Sequence, residues 1–164
     1  RQVRTPLQEK HRKGWVREPV RYVHNDYTEL SAPQRVKDFF PKESDVLLKN
    51  RFAIIQTWRS IGSIVGAEPL ALCDGKTIPQ TGFIRNQRRY KDRTAETYHI
   101  SYNPAHKWYY FPKMDRKEVL IFKVFDTDKD IDVKFTAHTA FDDPTTPEGA
   151  SPRQSIEMRA LVFF

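Results

Sequence analysis

Short strand-like segments separated by turn residues run through most of this 164-residue chain. In the strongest, residues 51–61, β-branched and aromatic residues predominate. About eight such segments, with helical patterns only near the front, predict an all-β core with a few peripheral helices. A double-stranded β-helix, the cupin-like jelly roll, fits this order. The predicted strands cover residues 15–24, 51–61, 68–73, 96–102, 107–111, 119–125, 133–139 and 155–164.

Two helices are predicted between the first two strands. Residues 31–34 (SAPQ) have the pattern of a capping box, and Pro33 falls early in the first turn, where its missing N–H does little harm. Residues 38–41 (DFFP) end this helix, and residues 42–50 form the second. Residues 75–93 are polar, basic and punctuated by Gly and Pro, so we expect a loop or an edge hairpin there.

Size and composition favour one soluble domain over residues 1–164. An aromatic content of 13% suits a β-rich core or a lined pocket. No run of 18 apolar residues predicts a membrane span. The lone Cys73 excludes an internal disulfide and fits a reducing compartment, so we expect a cytoplasmic protein. Because the chain starts at Arg1 rather than Met, we also expect an N-terminal portion to be missing.

The formal net charge of +7 raises nucleic acid as a partner. Much of the excess lies in residues 1–21 and 85–93. Neither segment forms a helical stripe or a known nucleic-acid motif. We therefore favour a solvated basic surface over a nucleic-acid site.

A possible metal site is formed by His24 and Asp26, near the start of the chain, with His138 near its end. In a strand running into a loop, residues i and i+2 point to the same side, so His24 and Asp26 can hold one ion while Asn25 faces away. A jelly roll brings a late strand back beside an early one. Two histidines and one carboxylate form the facial triad of non-haem Fe(II) oxygenases, which leaves positions open for a co-substrate and O₂.

Residue types alone leave this assignment open. His138 also fits a satisfied core histidine and His24 a surface one, and on composition alone we favour that alternative. Two other histidines, His99 and His106, lack a carboxylate two residues away. There is no nucleophile-elbow motif and no Gly-rich phosphate loop.

The last predicted strand adds evidence for an anionic ligand. By our prediction Arg153, Ser155, Glu157 and Arg159 share one face, opposite a second face formed by Ile156, Met158 and Leu161. Such a polar face is costly when buried without partners. A guanidinium binds a carboxylate bidentately and a serine adds a hydrogen bond, so a dicarboxylate such as 2-oxoglutarate removes the cost. A solvent-facing strand with Glu157 paired to an arginine fits the pattern equally well.

Several segments together resemble the hydroxylase/desaturase family grouped with aspergillic-acid and cephamycin biosynthesis proteins. The resemblance covers nearly the whole chain. It is carried by VHNDYT (23–28), RFAIIQTWRS (51–60), PLALCD (69–74), ETYHISYNPAHKWYYFPKM (96–114), VLIFKVFDTD (119–128) and FTAHTAFDDPTTPEGASPRQSIEMRALVFF (135–164).

The resemblance implies an oxygenase-like jelly-roll domain that uses Fe(II), 2-oxoglutarate and O₂ to hydroxylate or desaturate a small secondary metabolite. It implies His24, Asp26 and His138 as metal ligands. Arg153 has the usual spacing for the co-substrate arginine, and Arg159 is the alternative or a second contact. Ser155 and Gln56 complete the co-substrate set, although Gln56 stands where the family usually has Asn. We expect the substrate to contact Tyr27, Trp58, Arg59, Tyr98, Tyr102, Asn103 and Trp108.

Two other functions remain open from the sequence. One is an iron oxidase or dioxygenase that works without 2-oxoglutarate. The other is a non-catalytic jelly-roll module that binds an anion or nucleic acid through its basic face, with salt-sensitive binding that is indifferent to iron.

Overall fold

Two antiparallel-dominated sheets form the protein in a computed structural model that describes residues 2–4, 16–89 and 94–164. The first sheet has five strands and the second has six. Strands distant in sequence are neighbours in both sheets, as in a double-stranded β-helix. The predicted all-β jelly roll is confirmed.

The strands and helices follow the predicted segments closely. The strands are β1 (Gln2–Arg4), β2 (Val16–Arg17), β3 (His24–Asn25), β4 (Phe52–Ser60), β5 (Leu70–Cys73), β6 (Phe83–Arg89), β7 (Thr94–Ile100), β8 (Trp108–Tyr110), β9 (Leu120–Asp126), β10 (His138–Ala140) and β11 (Ser155–Phe163). The helices are α1 (Ser31–Phe39) and α2 (Ser44–Leu47). The strand order is β2-β1-β11-β4-β9 in the five-stranded sheet and β6-β7-β3-β10-β5-β8 in the six-stranded sheet. Within the described residues, no helix has the length and hydrophobicity needed to cross a membrane.

The hydrophobic core lies between the sheets. Along β4, Ile54 and Trp58 are almost completely buried, and their neighbours on β9 and α1 join the same cluster. Alternation along β4 points these side chains inward together with Gln56, because side chains two residues apart share a face. A polar residue is thus placed in the middle of an apolar inner wall.

Three local predictions were wrong. Residues 18–23 are not a strand, because Pro19 lacks the N–H that a ladder needs, so β2 and β3 are short and separate. Trp15 lies outside the described residues. β10 has three residues, of which only two belong to the expected strand, and it ends at Ala140; α2 has four residues instead of nine. Of the segment 75–93, residues 83–89 form edge strand β6, whose antiparallel partner β7 begins after the segment, at Thr94.

The first helix is capped differently from the prediction. The Thr28 hydroxyl accepts the Ser31 N–H at 3.1 Å, and the Thr28 N–H donates to the Ser31 hydroxyl at 2.9 Å. Thr28 therefore takes the first position of the capping box, and Ser31 takes the position three residues later that returns the hydrogen bond. Both hydroxyls also bond to Glu96 on β7, which fixes the helix to the six-stranded sheet.

The polar face of β11 points inward. Arg153, Ser155 and Glu157 are all buried, and Met158 on the opposite face is 57% exposed. Leu161 was assigned to the wrong face: it pairs with Ile54 and packs against the core, because it lies an even number of residues from Glu157.

Candidate metal centre

The two histidines of the predicted triad face each other across neighbouring strands. His138 on β10 is directly opposite His24 on β3, and β10 lies between β3 and β5. Their ring centroids are 4.5 Å apart, and both side chains are buried. Residues directly opposite each other in an antiparallel pair project to the same side, so both imidazoles point into the space between the sheets.

Asp26 follows β3 and completes the group. Its Oδ1 lies 3.9 Å from His24 Nε2, and its Oδ2 lies 3.6 Å from His138 Nε2. One ligand atom from each of the three residues lies within 4.8 Å of the others. Neither His99 nor His106 belongs to this group.

Asn25 holds the turn between the two ligands. Its side-chain amide donates to Tyr27 O at 2.7 Å and to Val124 O on β9 at 2.9 Å. It therefore faces away from the histidines, as predicted, and ties the end of β3 to the five-stranded sheet.

Backbone carbonyls fix the tautomer of both imidazoles. His24 Nδ1 lies 3.0 Å from Tyr22 O, and His138 Nδ1 lies 3.0 Å from Thr136 O. A carbonyl only accepts, so each Nδ1 carries a hydrogen and Nε2 is the nitrogen that each ring turns toward Asp26. Metal-binding histidines are oriented in this way by their second nitrogen.

The three side chains fit a divalent transition metal. Ligands at right angles and about 2.1 Å from one ion are roughly 3 Å apart, slightly less than the nitrogen–oxygen distances here. Two imidazole nitrogens and a carboxylate are the donor types that suit iron, and they occupy one side of an ion only. The observed donor set therefore fits Fe(II) with open positions.

Asp26 is held as a carboxylate. Burial raises its pKa, but the charge of Arg159, with smaller contributions from the contacts of His138 and His24, outweighs burial and holds the pKa well below the ordinary value. Arg159 donates from Nε at 2.9 Å and from Nη2 at 2.6 Å to Asp26 Oδ2. The same Nη2 contacts Glu157 Oε2 at 3.1 Å. Asp26 is therefore available to an ion without first losing a proton at neutral pH.

Arg153 lies beside the cluster. It is 3% exposed, donates from Nη1 to the Glu68 carbonyl, and lies with its guanidinium carbon 5.3 Å from the ring centroid of Trp58. Glu68 has a positive φ of 50°, so its backbone is in the left-handed region where it presents that carbonyl. One small pocket is lined by Val20, His24, Leu70, His138, Thr139, Ala140, Arg153 and Glu157.

The inner wall of the five-stranded sheet carries buried polar atoms without a partner in the described protein. They are Oε1 and Nε2 of Gln56, Nε1 of Trp58 and Oγ of Ser155. Register places Gln56 opposite Arg159, and Trp58 opposite Glu157. Because buried polar groups are normally hydrogen-bonded, this wall is suited to a polar ligand.

The residues expected to contact substrate are dispersed. Tyr27 packs against the core, Trp58 is on the inner wall, and Tyr98 contacts Phe83 and Phe135 within the core. Arg59 is on the outer face and donates to Arg116 O. Tyr102 is 90% exposed, Asn103 accepts from Ala105 N in a turn, and Trp108 is on edge strand β8.

Some contributors at the site were not assigned from the sequence. The carbonyls of Tyr22, Thr136 and Glu68 orient side chains through the backbone, for which a sequence has no signal. The sequence predicted the face of Glu157 but gave it no role at the site. In the structure it accepts a hydrogen bond from Arg159, which lies two residues away on the same face.

Fold and site together define a double-stranded β-helix with two histidines and one carboxylate gathered on one sheet. The chain belongs to the family whose model is described as an oxidoreductase/YMDC permease-like domain, which matches residues 1–163.

Curated relatives come from fungi. Aspirochlorine biosynthesis protein N of Aspergillus oryzae is 36% identical over 138 residues, which cover 82% of this chain and 58% of the relative. The Fe(II)/2-oxoglutarate-dependent dioxygenase nvfI of Aspergillus novofumigatus is 34% identical over 153 residues (92% and 55%). Hydroxylase/desaturase efuI of Hormonema carpetanum is 33% identical over 159 residues (89% and 52%). The predicted hydroxylase/desaturase resemblance is confirmed.

A solved structure has the same fold. The iron and alpha-ketoglutarate-dependent endoperoxidase NvfI superposes with a TM-score of 0.88 at 30% identity, over 99% of this chain and 59% of that chain. The present chain thus spans 52–58% of the length of the three relatives above.

Proposed function

We propose that this protein is an Fe(II)/2-oxoglutarate-dependent oxygenase that hydroxylates or desaturates a small molecule. One observation supports this most directly: the Nε2 atoms of His24 and His138 and the carboxylate of Asp26 converge beside the buried guanidinium of Arg153. The names of the relatives support the same chemistry.

In this proposal His24, Asp26 and His138 hold the metal. Each imidazole turns Nε2 toward Asp26, and Asp26 is ionised, so the carboxylate binds a cation without first losing a proton. When bound, Fe(II) and 2-oxoglutarate would activate O₂, which is the oxidant for removing hydrogen from a C–H bond. The protein's own contribution is orientation of both reactants and exclusion of water from the inter-sheet space.

Arg153 is the proposed anchor for the far carboxylate of 2-oxoglutarate. It lines the same pocket as the two histidines, and stacking near Trp58 with the Glu68 carbonyl on Nη1 fixes its plane. Ser155 Oγ and the Gln56 amide are buried donors on the adjoining wall. A dicarboxylate matches these groups because a guanidinium fork and neutral donors bind its oxygens together.

The substrate itself is proposed to be a small secondary metabolite. Of the expected contact residues, Trp58 and Tyr27 border the inner space, and Tyr102, Asn103 and Trp108 lie at the surface. Their roles, the cytoplasmic location and the absence of a nucleic-acid partner stay predictions.

The test is anaerobic titration of Fe(II), then 2-oxoglutarate, into the wild type and His138→Ala. We expect a visible iron-to-2-oxoglutarate charge-transfer band in the wild type and none in the variant. Far-UV circular dichroism of both proteins checks that the variant is folded.

Other outcomes point to other functions. Iron binding that depends on His138 but gives no band with 2-oxoglutarate indicates an oxidase independent of this co-substrate. Binding of an anion or nucleic acid that weakens with salt and ignores iron, with no iron binding, indicates the non-catalytic module.

A further inference from the structure

We propose that Arg159 is a positioning residue for the metal site: its two hydrogen bonds to Oδ2 fix the rotation of the Asp26 carboxylate beside His24 and His138 and leave Oδ1 without an arginine contact. The inference rests on the proposed function, and it assigns the two arginines of β11's polar face to different tasks. Arg159 serves the metal ligand, and Arg153 serves the co-substrate.

The contacts of Arg159 select one oxygen of the carboxylate. Nε and Nη2 both donate to Asp26 Oδ2, at 2.9 and 2.6 Å, and neither contacts Oδ1. Oδ1 faces His24 Nε2 at 3.9 Å, and Oδ2 also faces His138 Nε2 at 3.6 Å. A carboxylate held on one oxygen by two charge-assisted hydrogen bonds is fixed in rotation, and its second oxygen keeps its lone pairs for a cation.

Glu157 fixes Arg159 in turn. Its Oε2 accepts from Arg159 Nη2 at 3.1 Å, and its side chain is 8% exposed. Two carboxylates on one guanidinium give the Glu157–Arg159–Asp26 group a net negative charge. Repulsion between the guanidinium and an incoming divalent ion is therefore offset within the group itself. Alternation along β11 places Glu157 and Arg159 on the same inner face.

This arrangement leaves Arg159 poorly suited to anchor a dicarboxylate. A guanidinium binds a carboxylate bidentately through a pair of nitrogens that includes Nη2 or Nε. In Arg159 both hydrogens of Nη2 are directed at Asp26 and Glu157, and the single hydrogen of Nε is directed at Asp26. The co-substrate therefore has to use Arg153, which lines the pocket beside both histidines.

The experiment separates metal affinity from co-substrate affinity in two variants, Arg159→Gln and Arg153→Gln. Dissociation constants for Fe(II) alone are measured by anaerobic calorimetry, and those for 2-oxoglutarate from the charge-transfer band at saturating Fe(II). We expect R159Q to bind Fe(II) about 10–100-fold more weakly, the usual loss when a partner of a metal ligand is removed. Its 2-oxoglutarate affinity at saturating Fe(II) should stay at the wild-type value. R153Q should bind Fe(II) as the wild type does and should bind 2-oxoglutarate more weakly.

Arg51→Gln is the matched control. Arg51 pairs with Asp126 through the same two nitrogens, Nε and Nη2, in a part of the sheet that contributes nothing to the pocket. R51Q should leave both affinities unchanged, so a loss in R159Q is then specific to its place beside Asp26. If R159Q does not fold, Arg159→Lys replaces it. A lysine keeps the charge but has one nitrogen, so we expect a smaller loss of Fe(II) affinity, and an unchanged affinity in R159K counts against the proposal.

Three results would overturn the inference. Unchanged Fe(II) affinity with weakened 2-oxoglutarate binding in R159Q makes Arg159 the co-substrate anchor. Tighter Fe(II) binding in R159Q makes Arg159 a competitor for the carboxylate. Both leave the proposed function intact. Failure of the wild type to bind Fe(II) removes the proposed function together with the inference.

Discussion

Two aspartates that each pair with an arginine lie in different parts of the molecule and differ in how their oxygens are bound: the Asp126 side chain is buried, and that of Asp26 is 15% exposed. Asp126 at the end of β9 is 2% exposed and has both oxygens occupied. Arg51 Nε and Asp128 N donate to its Oδ1 at 3.2 and 2.9 Å, and Arg51 Nη2 and Lys123 Nζ donate to its Oδ2 at 3.0 and 3.2 Å. Asp26 receives both Arg159 bonds on Oδ2, and its Oδ1 faces an imidazole.

The difference separates a structural carboxylate from one prepared for a ligand. Burying a charge is costly unless its hydrogen-bonding capacity is met within the protein, as it is for Asp126. Asp26 is largely enclosed, with one oxygen that receives no arginine bond, beside two imidazoles that both turn Nε2 toward it. Local under-satisfaction of this kind is expected where a ligand completes the site.

The largest expected effect separates the two aspartates by metal binding. Asp26→Ala should abolish Fe(II) binding and turnover, because it removes the only anionic ligand of the cluster. Asp126→Ala should bind Fe(II) as the wild type does. Anaerobic calorimetry with Fe(II) on both variants measures this directly, and equal binding by D26A and D126A would contradict the ligand assignment.

The second prediction reverses the comparison and uses folding stability. Asp126→Asn should lower the free energy of unfolding by about 2–4 kcal/mol, since charge-assisted hydrogen bonds to a buried carboxylate are lost. Urea unfolding of the metal-free protein measures the change. Asp130→Asn, at an exposed turn position, is the control and should change the stability little. A loss in D126N no larger than in D130N would remove the structural role of Asp126.

The pH dependence of stability gives a third and smaller effect. Burial raises the pKa of Asp126, but Arg51, the Asp128 N–H and Lys123 outweigh it and lower the pKa from 3.8 to about 2. A carboxyl with a lowered pKa stabilises the fold above its unfolded-state pKa, and this contribution is lost as the pH falls through the folded-state value. The advantage of the wild type over D126N should therefore shrink by about 2 kcal/mol between about pH 5 and pH 2.

Urea unfolding of both proteins across that range measures the difference. Because Asp26 titrates in both, its contribution cancels. An advantage that stays constant or grows toward pH 2 would contradict the lowered pKa of Asp126.

Periodicity predicted most of the strands and the grouping of His24, Asp26 and His138. A two-residue spacing put His24 and Asp26 on one side, and a jelly-roll order required a late strand beside an early one, which β10 is. Periodicity does not hold for residues 18–23, where Pro19 interrupts the hydrogen-bond ladder. The prediction for Leu161 was wrong because alternation places it on the same face as Glu157.

What the sequence does not contain are contacts between the two sheets and contacts made by the backbone. Arg159 and Asp26 are 133 residues apart, and nothing in their spacing distinguishes a salt bridge to a ligand from a contact with a co-substrate. The carbonyl that holds Arg153 comes from Glu68, in a left-handed conformation that a glutamate rarely adopts. Periodicity finds the face on which a residue lies, and tertiary packing decides its partner.

The smallest effect concerns Gln56 on the inner wall, whose amide is fully buried and has no hydrogen-bond partner among the residues that the structure describes. Gln56→Met keeps the length of the side chain and removes the unsatisfied amide, so the metal-free protein should gain about 1 kcal/mol of stability. The same change removes a donor from the proposed co-substrate site, so 2-oxoglutarate should bind more weakly.

Gln87→Met is the matched control, because Gln87 Nε2 donates to Glu96 Oε2 at 3.1 Å, and the loss of that bond should lower stability instead. Chemical unfolding and the charge-transfer titration measure the two effects of each substitution. If Q56M destabilises the protein as Q87M does, the amide of Gln56 has a hydrogen-bond partner within the fold. In that case Gln56, unlike Asp26, is not a polar group that waits for a ligand.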